Sequence, residues 1–161
     1  MNMARLKILV TALVALFLIA QFVQPARTNP PVIPSRSLQA HVPVPPNVMP
    51  ILNRSCGDCH SSATVWPWYS HFAPVSWLVV DDVNTGRKHI NFQDWEAQES
   101  PKEAAEHLSL ICKEVREKGM PPFSYRLMHN DSRLSPQDID ALCSWSQAVG
   151  APLEPDHEHH H

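Results

Sequence analysis

An uninterrupted apolar run lies near the start of the chain. Residues 8–23, ILVTALVALFLIAQFV, carry no charge, and Arg5 and Lys7 precede them. A signal-peptide core usually has about 7 to 15 apolar residues and a membrane span about 20, so this run lies between the two. The tripeptides AQF and QPA near its end lack the small-residue pattern of a cleavage site. We therefore expect residues 1–24 to form an uncleaved transmembrane anchor helix.

Four further segments show the three- or four-residue spacing of amphipathic helices. They begin near Val48, Pro74, Ser100 and Ser135. In the second segment, the spacing of Trp77, Val80 and Val83 predicts one buried stripe. The last two open with SPKE and SPQD, which place a serine N-cap before proline at the first helical position. No segment alternates as a half-buried strand does, and no internal repeat is present. The sequence therefore predicts a small all-α domain.

Prolines concentrate between the apolar run and the first of these helices. Residues 25–50 hold eight of the 16 prolines. Proline favours extended backbone, so this segment is either a semi-rigid spacer or a strap that folds back along the domain. In chain order, the sequence predicts an anchor over residues 1–24, a Pro-rich linker over 25–46, a helical domain over 47–150 and a disordered His-rich tail over 151–161.

The part of the chain after the apolar run is mildly acidic. Residues 25–161 hold 11 of the 13 Lys and Arg and all 16 Asp and Glu, a formal charge of −5. Nucleic-acid surfaces are basic, so this balance argues against nucleic-acid binding. Arg5 and Lys7 place more positive charge before the apolar run than Arg27 places after it, which predicts a cytoplasmic N-terminus and an exported domain.

The motif CGDCH, residues 56–60, carries the candidate chemistry. A thioredoxin-type pair would follow a hydrophobic strand, but PNVMPILNRS precedes Cys56. A zinc site needs four ligands, and the remaining cysteines of the chain are isolated single residues. On a helical turn, Cys56 and Cys59 face the same way and His60 follows directly. This order is typical of c-type haem attachment, in which both cysteines bond to the haem and the histidine binds the iron.

A low-spin electron carrier needs a second axial ligand on the iron. Met120 in EKGMPPFS is favoured, because the prolines that follow stiffen its loop. His71 or His129 could replace it, or the distal position could be open. Met49 and Met128 are better explained as core filler. One covalent haem c per chain is therefore expected, and its predicted binding residues are Cys56, Cys59, His60 and Met120.

Longer stretches of the chain resemble a known family. CGDCHSSATVWPWYSHFAPVSWLVVDDVNTGRKHINFQDW, then GMPP and LSPQDIDALCSW, resemble the bacterial haem-binding domain family of single-haem, membrane-anchored proteins. The early CxxCH helix, the late GMP loop and the final amphipathic helix also look like a class I c-type cytochrome. The resemblance covers most of residues 23–148. It implies a cytochrome c-like helical domain, a covalent haem and a site outside the cytoplasm.

These observations together predict a membrane-anchored periplasmic monohaem cytochrome that transfers electrons and is not an enzyme. Its partners would be periplasmic or membrane redox proteins, and residues 8–23 would bind the membrane. The alternative is a haem enzyme, or a gas or redox sensor, with an open distal iron site. A structural protein that uses haem only to fold is a third class.

Several other side chains leave two interpretations open. Cys112 and Cys143 lie on the apolar faces of the third and fourth helices, where they are either disulfide-bonded or buried thiols. Three aromatic side chains after the motif either wall the haem or form core: Trp66, Trp68 and Tyr69. Three arginines either neutralise haem propionates or are solvated: Arg54, Arg87 and Arg126.

Overall fold

A computed structural model of the chain describes residues 2–95 and 101–150. Within these ranges the chain forms eight α-helices and short 3-10 turns without any β-strand, which confirms the predicted all-α class. The predicted N-cap Ser100 and the predicted tail, residues 151–161, lie outside the described residues. The helices are α1 (Met3–Ala20), α2 (Leu38–His41), α3 (Met49–Ser55), α4 (Gly57–His60), α5 (Val75–His89), α6 (Pro101–Arg116), α7 (Phe123–Met128) and α8 (Pro136–Gly150).

From Ile8 to its end, helix α1 is apolar on all sides. Its 18 residues have a mean hydropathy of 2.2, and none of them is buried. At about 1.5 Å per residue the helix is about 27 Å long, close to the ~30 Å of a bilayer's hydrocarbon core. It is therefore long and apolar enough to cross a membrane. The helix ends at Ala20, before the apolar run does, and the side chain of Gln21 then bonds to the backbone N–H and carbonyl of Ala73.

The proline-rich segment folds back along the domain, the second of its two predicted arrangements. Leu38 is fully buried, and its N–H donates to the Phe92 carbonyl at 2.7 Å. The indole N–H of Trp145 in α8 donates to the Pro43 carbonyl at 2.9 Å. Residues of the predicted linker therefore contribute to the core and bond to the last helix.

The helix predicted to start near Val48 is two helices that meet at the motif. Cys56 has φ −127° and ψ −29°, which interrupts the helical backbone between α3 and α4. α5 starts close to the predicted Pro74, but its buried face differs from the predicted stripe. Val80 and Val83 are buried as expected, whereas Trp77 is 41% exposed because its indole N–H donates to the Val23 carbonyl.

Helices α6 and α8 pack against each other and are joined by the Cys112–Cys143 disulfide. The Cα atoms of the two cysteines lie 4.4 Å apart. The predicted N-cap of α8 is present: Ser135 Oγ accepts from the Asp138 N–H at 3.1 Å, and the Asp138 carboxylate accepts from the Ser135 N–H at 2.8 Å. Helix α7 was not predicted, and it follows the Met120 loop directly.

Candidate functional site

A cavity of about 550 Å³ lies among helices from both halves of the domain. One group of lining residues belongs to α3, α4 and α5, and the other belongs to α6, the following loop and α7. Most of the lining atoms are apolar. The cavity thus suits a large, mainly apolar ligand. All four residues predicted to hold a haem line it: Cys56, Cys59, His60 and Met120.

His60 ends α4 with its ring fixed in orientation. Nδ1 lies 3.1 Å from the Ile90 carbonyl oxygen, and because a carbonyl can only accept, Nδ1 is assigned the proton. Burial lowers the pKa of His60, although backbone hydrogen bonds to Ile90 and Gly86 act in the opposite direction. The ring is therefore neutral at pH 7, and Nε2 keeps its lone pair. A neutral imidazole nitrogen of this kind is a common iron ligand.

The two motif cysteines are free thiols beside this histidine. Burial raises the pKa of Cys56 to about 12, with a further contribution from Cys59. Burial, together with the nearby carboxylates of Asp82 and Asp58, raises the pKa of Cys59 to about 11. Both sulfurs are therefore protonated at neutral pH and lie in the wall of a mainly apolar cavity.

Gly86 lets α5 approach the motif helix closely. A Cβ atom at this position would lie 2.6 Å from the Cys59 carbonyl oxygen and 3.1 Å from the Cys59 Cβ. No side chain fits in that space, so glycine is required by the close approach of two backbones. Sequence reasoning missed this role, although a glycine inside a helix costs about 1 kcal/mol and usually has a packing reason.

Asp58, the second variable residue of the motif, ties α4 to other segments. Its carboxylate accepts from the Tyr125 hydroxyl in α7 at 2.7 Å and from the Val65 N–H at 3.0 Å, and its carbonyl accepts from the Thr64 hydroxyl at 2.6 Å. Burial, reinforced by the hydrogen bond to Asp58, raises the pKa of Tyr125. Tyr125 therefore stays protonated and holds the segment after Met120 against the motif. The sequence offered no spacing signal for this pair.

The residues predicted as alternative second ligands lie in different parts of the structure. Met120 lines the cavity, whereas His71 is exposed on a 3-10 turn and His129 bonds through Nε2 to the Tyr69 hydroxyl at 2.7 Å. Two histidines that the sequence analysis did not consider, His89 and His107, also line the cavity. His107 lies four residues before Ile111, on the flank of the apolar face of α6, which is the signal that could have found it.

Arg87 hydrogen-bonds to residues next to the motif and is not part of the cavity lining. Its guanidinium donates to the Ser61 carbonyl at 2.7 Å and to the Thr64 hydroxyl at 2.8 Å, both just after α4. It also donates to the Thr28 carbonyl and the Asn29 side chain, each at 2.8 Å. This one side chain therefore joins the residues after the motif to the strap that follows α1.

The other two arginines also lie outside the cavity lining. Arg54 donates to the Asp131 carbonyl at 3.1 Å and pairs with the Asp138 carboxylate at 2.6 Å, which links α3 to α8. The Nε atom of Arg126 is buried without a partner among the described residues. In the described part of the chain, the cavity lining thus contains no arginine.

The three aromatic residues after the motif have separate environments outside the cavity lining. Trp68 is 70% exposed, which neither predicted role explains. Tyr69 bonds to His129, whose ring stacks on Tyr125 at a centroid distance of 4.2 Å. The indole nitrogen of Trp66 is buried and lacks a hydrogen-bond partner in residues 2–95 and 101–150.

The donor set and the polar atoms of the cavity fit a haem. His60 offers a nitrogen and Met120 a thioether sulfur, both of which are iron ligands in cytochromes. Ser55 Oγ is buried in the lining and has no hydrogen-bond partner in the described part of the chain. A bound group with a polar edge in an otherwise apolar body would satisfy it.

One comparison with known proteins supports a haem-binding role for the domain. Comparison with curated proteins and with solved structures gives no significant match. The model of the haem-binding domain family matches residues 15–148, which include the motif, the Met120 loop and α8. Since this match covers most of the chain, the protein belongs to the haem-binding domain family.

Proposed function

We propose that this protein is a membrane-anchored monohaem c-type cytochrome that passes electrons between periplasmic or membrane redox proteins. The observation that carries the proposal is the joint presence of Cys56, Cys59, His60 and Met120 in the lining of one mainly apolar cavity. The family match supports a haem cofactor, and the CxxCH motif supports covalent attachment through both cysteines.

The predicted binding residues would have different roles at the haem. When bound, a haem supplies a one-electron ferrous–ferric couple. His60 would bind the iron through Nε2, because its Nδ1 proton is held by the Ile90 carbonyl. Met120 would complete the coordination, and a thioether ligand raises the reduction potential compared with a second histidine. The apolar lining would keep water from the iron.

Attachment to a membrane is supported by α1, whose length and hydropathy suit a single span. Arg5 and Lys7 at its start favour a cytoplasmic N-terminus, which leaves the haem site on the periplasmic side. A carrier held at the membrane would meet partners that lie in the bilayer or dock on its surface. No substrate other than the electron is needed, so the protein is proposed to be a carrier and not an enzyme.

Covalent attachment is tested by producing the full chain with and without the c-type maturation system. We expect haem that stays with the denatured polypeptide only in the first case. The double variant Cys56→Ala, Cys59→Ala should lose this haem, whereas Cys112→Ala, Cys143→Ala should keep it and serves as the matched control. Haem retained after denaturation in the first double variant would contradict the proposal.

The sixth ligand is tested by carbon monoxide binding to the ferrous protein. The wild-type protein should be indifferent to the gas, and Met120→Ala should bind it and shift the Soret band. His129→Ala, outside the cavity lining, should behave as wild type. Carbon monoxide binding by the unmodified protein would instead favour the enzyme or sensor with an open distal position. Loss of six-coordination in His107→Ala alone would assign the ligand to that histidine.

A further inference from the structure

An exposed apolar surface surrounds the point where α1 meets the domain. Its members have exposed fractions between 41% and 90%, and we call them the anchor-proximal patch: Phe22, Val23, Phe72, Val75, Trp77 and Leu78. A contiguous exposed apolar surface on a folded domain usually marks a site of interaction.

Hydrogen bonds fix this patch to the end of α1. The Gln21 side chain donates to the Ala73 carbonyl at 3.1 Å and accepts from the Ala73 N–H at 3.0 Å. The Trp77 indole donates to the Val23 carbonyl at 2.6 Å. These bonds leave no free spacer between the last turn of α1 and the start of α5.

The distances place the patch at the edge of any bilayer that α1 crosses. Consecutive Cα atoms are about 3.8 Å apart, so Val23 lies within about 11 Å of Ala20, where α1 ends. The headgroup layer on each side of a bilayer is about 5 to 8 Å thick. Atoms hydrogen-bonded to Gln21 and Val23 would therefore lie in or next to the headgroup layer of a bilayer that α1 crosses.

The charge pattern agrees with this position. Residues 8–26 and residues 67–80, the two segments that form the patch, contain no Asp, Glu, Lys or Arg. The first charges beyond them are Arg27, which donates to the Ser70 carbonyl, and Asp81, one helical turn after Leu78. Tryptophan is enriched at the headgroup level of membranes, and Trp77 would lie near that level in a bilayer that α1 crosses.

We propose that the anchor-proximal patch is a second membrane contact, which inserts into the interfacial layer of the same bilayer that α1 spans. The haem domain then lies directly on the membrane in one fixed orientation, and does not swing on a tether. This inference rests on the proposed anchoring by α1, but it adds a surface that α1 does not require.

The test uses the full, haem-loaded chain in nanodiscs with one protein each, made from phosphatidylcholine and phosphatidylglycerol that carry a photoactivatable acyl chain. Peptide mass spectrometry after illumination locates the lipid adducts. We expect adducts on α1 and on residues 72–78, with yields on residues 72–78 at least fivefold above those on residues 107–116 of α6. Leu78→Asp should reduce the adducts on residues 72–78 several-fold and leave those on α1 unchanged.

Leu127→Asp is the matched control, because Leu127 is 60% exposed and belongs to α7, which bonds to α4. It should leave the adducts on residues 72–78 unchanged. Adducts on α1 with only background on residues 72–78 would overturn the second contact while the anchor stands. Background labelling of both segments would instead contradict the anchor. Protection of residues 72–78 from a water-soluble label without lipid adducts would mean that a second copy covers the patch, and would also overturn the proposal.

Discussion

Gly86→Ala should destabilise the protein, although alanine is the better helix former. A Cβ atom at position 86 would lie 2.6 Å from the Cys59 carbonyl oxygen, whereas ordinary contacts begin at 3.4 Å. The backbones of α4 and α5 would have to separate by about 0.8 Å. Overpacking of this kind costs about 1 to 3 kcal/mol, and the helix propensity of alanine returns about 1 kcal/mol.

The net expectation is a loss of about 1 kcal/mol in the free energy of unfolding. For a domain of this size, 1 kcal/mol corresponds to about 2 to 8 °C in Tm. Thermal unfolding of the haem-loaded protein, followed by far-UV circular dichroism, measures this shift. Because the strained contact is with Cys59, the Soret spectrum should also change, which a general loss of stability would not cause below Tm.

Two other glycines provide matched controls. A Cβ at Gly57 would meet the Leu52 carbonyl at 3.6 Å, an ordinary contact, so Gly57→Ala should be neutral or slightly stabilising. A Cβ at Gly119 would lie 2.6 Å from the Glu114 carboxylate, the end of a side chain that can move aside, and at an ordinary 3.6 Å from the Glu114 carbonyl oxygen. If Gly86→Ala unfolds at the same temperature as Gly57→Ala and keeps the wild-type Soret band, the close approach of α5 to the motif is not as described.

Three further predictions follow from single contacts. Tyr125→Phe removes the hydroxyl that donates to the Asp58 carboxylate, and should lower the free energy of unfolding in urea by about 1.5 to 3 kcal/mol. An unchanged urea midpoint would contradict the stabilising role of this hydrogen bond. The protein denatured without reductant should show no thiol at Cys112 and Cys143, and two thiols there would refute the disulfide. Removing the disulfide should lower the free energy of unfolding by about 3 to 4 kcal/mol in the chain-entropy model. Partial burial raises the pKa of Asp138, but the hydrogen bonds of the α8 cap and the ion pair with Arg54 outweigh this effect and leave the pKa lowered. The ionised carboxylate therefore stabilises the folded protein above pH 4, and this stabilisation is lost as the pH falls further. Asp138→Asn should flatten this part of the acid-unfolding curve.

Sequence patterns predicted those elements whose determinants are local. The α8 cap is formed by Ser135 and Asp138, three residues apart, so its bonds could be read from the sequence alone. Cys112 and Cys143 lie on the apolar faces of two amphipathic helices, and packing of those faces brings the sulfurs together. The motif and Met120 were proposed as a haem site from residue types and order alone, and they line one cavity.

The elements that were missed depend on contacts distant in sequence. Trp77 fits a buried helical stripe by spacing, but its indole bonds 54 residues back to Val23 and is held at the surface. Leu38 stands among prolines that suggest a spacer, yet its burial depends on Phe92 across the fold. Helix propensity and periodicity carry no information on contacts between residues far apart in sequence. The sequence alone therefore could not predict the exposure of Trp77 or decide between the two arrangements of the proline-rich segment.

Helix α5 connects the segment that follows α1 to the CxxCH motif. Its first turn is bonded to the end of α1 through Trp77, and its last turns touch the motif through Gly86 and Arg87. Nine residues separate Trp77 from Gly86, which is about 14 Å of helix. Because a helix is rigid over this length, the height of the cavity above the end of α1 is set by α5 and not by a flexible linker. Under the proposed function, a haem in the cavity would be held at a nearly constant distance from the bilayer, which would favour partners whose own electron-exchange sites lie close to the membrane surface.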